Sequence, residues 1–97
     1  TIVHQLENDY PSYAANFANW AEQGLGGAQQ AVWTALAEQG IGASLQHYNP
    51  LIDDAIHQVF NLPADWQLRA EMPFGSIEAP AGEKAQLDDE EMFKLIK

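Results

Sequence analysis

Ninety-seven residues suit one small domain, near the lower end of what buries a sound core, and a 46% hydrophobic content with three Trp, three Tyr and four Phe is globular in character. Fourteen acidic residues against four Lys and Arg give a formal charge of −10, which repels phosphate backbones and anionic lipid, so nucleic acid and membrane surfaces are poor partners. With no cysteine there is neither a disulfide frame nor a thiolate metal site, and no apolar stretch reaches the length of a membrane span or a signal-peptide core. The expectation is a soluble, cytoplasmic protein.

Thr1 either follows removal of an initiator methionine or marks a cut inside a longer chain. Asp9 reads as an N-cap with Pro11 in the first turn, after which Tyr13, Ala14, Phe17, Trp20 and Ala21 recur on one helical face. The stripe continues through Leu25, Ala28, Val32, Ala35 and Leu36. Across Gly24, Gly26 and Gly27 the spacing allows one long helix with a weak point or two helices joined by a turn, and Gly40 stops it either way. Gly27, Ala31 and Ala35 lie four apart and form a ridge of minimal side chains, with Trp33 pointing away from it; the ridge serves packing within the chain or a contact between subunits.

A short extended candidate runs from Ala43 to Tyr48. Asn49 and Pro50 then read as N-cap and first residue of another helix, with Asp53 and Asp54 in its first turn and Leu51, Ile52, Ala55, Ile56, Val59 and Phe60 as its buried face. Asn61-Leu-Pro63 ends that helix. From Trp66 to Phe74 apolar and polar residues alternate strictly, which predicts a half-buried strand closed by Pro73 and Gly75. Ser76 to Glu91 reads as a surface loop, and Met92, Phe93, Leu95 and Ile96 form an apolar tail that needs a surface to cover it. So few strands make a poor sheet in isolation.

Leu45-Gln-His-Tyr-Asn-Pro50, together with Met72-Pro-Phe-Gly75 and Pro80-Ala-Gly-Glu-Lys84, resembles the carboxy-terminal half of the FMN-dependent nitroreductase family. Within it the likeness is to the branch of copper-induced and fatty-acid-repression-mutant proteins, and it covers the chain from about Tyr10 onward. The resemblance implies an α+β, nitroreductase-like fold with a long central helix and antiparallel strands. Residues 1–97 would be the carboxy-terminal portion of a single domain, completed by an amino-terminal half and by a second subunit in a homodimer. It further implies that Gln46, His47 and Tyr48 run along the flavin ring, mainly through main chain, and that Lys84 contacts the FMN phosphate. The branch usually carries an arginine a few residues after that lysine, where this chain has Met92 in an ungapped alignment; phosphate binding from this half is then weaker, or Lys94 takes the role. The amino-terminal arginine-bearing segment of the family has no counterpart here, so this chain alone would lack half the site and be inactive by itself.

Read without the resemblance, Leu45 is a core residue, His47 and Tyr48 cap local polar groups, and Lys84 is a solvated surface cation. Asp53 and His57 at a spacing of four, and His4 and Glu7 at three, are weak metal signals, since two ligands do not make a site. No nucleophile-elbow, Walker or dinucleotide fingerprint is present, because Gly24-Leu-Gly-Gly27 lies within a helical stripe. The two functional expectations are an FMN-dependent NAD(P)H oxidoreductase that reduces nitroaromatics, quinones or similar small aromatic acceptors, and a non-enzymatic acidic oligomerisation module. No side chain is assigned a catalytic or metal-binding role.

Overall fold

In the computed structural model, which describes residues 2–97, helix α1 (Ile2–Asp9) is followed by a single 3-10 turn over Pro11–Tyr13 and then by the long helix α2 (Ala14–Glu38). Strand β1 (Ile41–Ala43), helix α3 (Asp53–Phe60), strand β2 (Phe74–Ser76) and the short helix α4 (Asp89–Met92) complete the order.

Helix α1 lies where no helix was expected. Val3, Leu6 and Glu7 are its half-buried residues, too short an apolar stripe to stand out from eight residues, and its packing on α2 holds it. Asp9 is therefore the last residue of α1 and caps nothing ahead of it, while Pro11 opens the 3-10 turn, where its missing N–H costs no hydrogen bond.

Helix α2 runs 25 residues without a break through Gly24, Gly26 and Gly27, a length of about 37 Å. Its apolar spacing and neighbouring elements outweigh the roughly 1 kcal/mol that each interior glycine costs. It stops where Gly40 adopts φ +70 and donates its N–H to the Ala37 carbonyl at 3.0 Å. Phe17, Trp33 and Leu36 are half-buried, Trp20 meets Phe17 edge-on at 5.5 Å, and the ridge of Gly27, Ala31 and Ala35 is exposed.

The sheet has two antiparallel strands, with Ile41 opposite Ser76, Gly42 opposite Gly75 and Ala43 opposite Phe74. Gly42 has no room for a side chain, since a Cβ there would meet Ile77 Cγ1 at 2.9 Å. Pairing fades beyond Ala43 through the Ser44 N–H, bonded to the Pro73 carbonyl at 3.1 Å, and one isolated bridge between Gln46 and Glu71. The strand expected over 66–74 is corrected accordingly: only its end is paired, and burial does not follow the alternation, since Trp66 is 54% and Phe74 68% exposed while Glu71 is half-buried. Pro73 has no N–H to give a ladder, and residues 66–70 have no partner strand among the described residues. Arg69 instead reaches α2, its Nε 2.8 Å from Glu22 Oε1.

Asn49 and Pro50 do not begin a helix. Their peptide bond is cis, residues 49–52 form turns, and α3 starts at Asp53. The Asn49 side chain is engaged elsewhere, its Nδ2 donating to Asp53 Oδ1 at 2.8 Å and to the Leu68 carbonyl at 2.9 Å. The inner face of α3 is also narrower than its apolar residues suggest: Ile52, Asp53, Ile56 and His57 are half-buried, whereas Val59 is 75% and Phe60 65% exposed. Asn61, at φ +49, ends the helix in the left-handed conformation, as the Asn-Leu-Pro sequence predicts. The loop expected after Ser76 is interrupted by α4, and Phe93, Leu95 and Ile96 are exposed. No described residue is fully buried.

Candidate functional site

Residues Ser44 to Asn49 cross between the end of β1 and the turn before α3, and one side chain from the segment ahead of β2, Glu71, organises them. Gln46 and Glu71 exchange both main-chain hydrogen bonds, at 2.8 Å and 2.9 Å. The Glu71 carboxylate then turns back along the segment, and its Oε2 accepts the Tyr48 N–H at 3.2 Å. Gln46 Nε2 donates to Ser44 Oγ at 2.6 Å, which draws that side chain along its own strand.

Two of the three N–H groups from Gln46 to Tyr48 are thus occupied, while the His47 N–H makes no hydrogen bond among the described residues. A main-chain donor without an acceptor persists only where water or a ligand can reach it, and the exposure of His47 and Tyr48 allows that. Of the resemblance-derived residues, Gln46, His47 and Tyr48 are therefore brought together, and a single main-chain donor among them is free. Lys84 lies apart, exposed in the segment that follows β2, and makes no ion pair among the described residues.

Glu71 is the residue that sequence reasoning missed. It falls among the polar positions of the 66–74 alternation, and nothing local marks it, because its contact with Tyr48 spans 23 positions. Its second oxygen, Oε1, is buried without a hydrogen-bond partner, as is Asn49 Oδ1.

A cavity of ≈ 660 Å³ lies between α3 and residues 64–69, and Asp53, His57, Trp66 and Arg69 help to line it. Asp53 and His57 share this cavity without a third ligand: no group of three His, Cys, Asp or Glu that could hold a metal occurs among the described residues. His4 Nδ1 and Glu7 Oε2, the other spaced pair, bond each other at 3.1 Å across an exposed helix turn. No helix among the described residues is long and apolar enough to cross a membrane.

Comparison with known proteins bears on the same segment. The model of the nitroreductase family matches residues 1–76. The chain is 39% identical over 93 residues to the Saccharomyces cerevisiae protein HBN1, covering 95% of this chain and 47% of that protein. It is 35% identical over 87 residues to the nitroreductase FRM2 of the same yeast, covering 90% and 44%. Among solved structures, nitroreductase CinD from Lactococcus lactis in complex with 4-nitrophenol shares 54% identity at a TM-score of 0.94, over 99% of this chain and 51% of that one. Its complex with nicotinic acid gives a TM-score of 0.93 at the same identity. The similarity therefore extends ahead of Tyr10, and the chain spans about half the length of the relatives it matches.

Proposed function

The chain belongs to the nitroreductase family, and from that premise we propose that it is the flavin-ring portion, the carboxy-terminal half, of an FMN-dependent NAD(P)H oxidoreductase acting on nitroaromatics, quinones or similar acceptors. The supporting observation is the 54% identity, over 99% of this chain, to a nitroreductase whose structure was solved with 4-nitrophenol. An amino-terminal half and a second subunit would supply the rest of the site, and NAD(P)H and a small aromatic acceptor are its proposed partners.

The residues present fit the cofactor in chemistry. FMN, when bound, supplies the hydride and electron transfer. His47 offers one unoccupied N–H on a segment held by Gln46 and Tyr48, the kind of fixed main-chain donor that favours negative charge on a reduced ring. Lys84 offers an unpaired cation suited to a phosphate. The contribution of Gln46 is to fix the segment, since its own main-chain groups are taken by Glu71.

The test is the complete protein that carries this chain. Purified, it shows flavin absorption bands and oxidises NAD(P)H in the presence of a nitroaromatic such as 4-nitrophenol. A colourless protein that takes up no added FMN refutes the proposal. The exposed ridge of Gly27, Ala31 and Ala35 and the apolar tail favour a second reading, an acidic assembly module without cofactor. A stable oligomer whose melting temperature is unmoved by FMN would select it.

A further inference from the structure

We infer that Glu71 is a positioning residue of the ring-facing stretch Gln46–Tyr48: by holding the Tyr48 N–H it leaves His47 as the one free main-chain donor of those three residues. The inference rests on the flavin-dependent reading above and adds to it a residue outside the segment itself. Three observations carry it. Glu71 anchors the segment twice, through the reciprocal main-chain pair with Gln46 and through its carboxylate. A carboxylate acceptor makes a strong hydrogen bond, and because Glu71 Oε1 is buried without a partner, the Tyr48 N–H is the hydrogen bond this side chain makes among the described residues. The His47 N–H, between two occupied neighbours, is left without an acceptor.

Removing the carboxylate leaves the main-chain pair between residues 46 and 71 in place, because that pair does not involve the side chain. What it releases is the Tyr48 N–H alone. Two adjacent donors then compete for one orientation, and the segment loses the preorganisation that makes a donor effective toward developing charge. Glu71→Gln keeps an acceptor oxygen for Tyr48, whereas Glu71→Ala does not.

The experiment uses the complete protein and two readouts. Amide hydrogen exchange without added FMN is expected to accelerate at Tyr48 by at least tenfold in Glu71→Ala while Gln46 is unchanged. In the flavin-loaded protein the same variant is expected to lose about tenfold in affinity for reduced relative to oxidised FMN, a fall of about 30 mV in midpoint potential for a two-electron couple. Glu71→Gln is expected to stay within about threefold of wild type in both. Unchanged exchange and potential in Glu71→Ala overturn the inference. So does equal acceleration at Gln46 and Tyr48, which is general loosening, and so does Glu71→Gln behaving like Glu71→Ala. If Glu71→Ala fails to fold, Glu71→Leu keeps bulk without an acceptor and is read in the same way. A wild-type protein that binds no FMN refutes the functional proposal, and the exchange readout still decides whether Glu71 holds Tyr48.

Discussion

Residues 1–97 produced alone should not form a cooperative folded monomer, and the deficit can be sized from the structure. The chain exposes 8602 Å², whereas a folded monomer of 10.7 kDa exposes about 5,500 Å² by the usual scaling of surface with mass. Its radius of gyration is 18.1 Å, against about 12.5 Å for a compact domain of this length. The excess is about 3,000 Å², the size of an obligate interface. With rather more than half of it apolar, at about 25 cal/mol per Å² the burial forgone is on the order of 40 kcal/mol. That exceeds the roughly 5–15 kcal/mol by which whole domains are stable. Calorimetry, near-UV circular dichroism and dye binding on the isolated chain at low concentration should show no sharp heat-absorption peak, weak aromatic signals and strong dye binding. A monomer melting in one sharp transition with an enthalpy of about 70 kcal/mol would refute the reasoning.

Two further predictions concern local structure, both measured as melting temperature in the complete protein. Asn49→Ala removes the hydrogen bonds to Asp53 Oδ1 and to the Leu68 carbonyl, and should cost about 2 kcal/mol, a fall of about 4–8 °C for a protein as long as the relatives this chain matches; no fall would mean that the turn is held by other contacts. Asn61 sits at φ +49, so Asn61→Gly should be neutral or slightly stabilising while Asn61→Ala costs about 1 kcal/mol, and equal effects of the two would refute the left-handed cap.

What could be read from the chain by itself is what depends on near neighbours. The three-and-four spacing from Tyr13 to Leu36 determines a helix, Gly40 and Asn61 determine where helices stop, and the tail from Met92 to Ile96 declares its need for cover, because each signal is complete within a few residues. The runs Leu45–Pro50, Met72–Gly75 and Pro80–Lys84 together likewise pointed to a family, since side-chain chemistry at consecutive positions is itself local information. Tertiary structure decided the rest. Whether α2 breaks at its glycines depended on what packs along it; whether 66–74 became a strand depended on a partner that only its end possesses; whether Asn49 capped a helix depended on Leu68, which drew its side chain away. Glu71 is the clearest case, because its position in the chain is that of an ordinary solvent-facing residue. Its hold on Tyr48 exists only once 23 intervening positions have folded back to bring a carboxylate against one N–H, and a hydrogen bond of that kind leaves no periodic trace in the sequence.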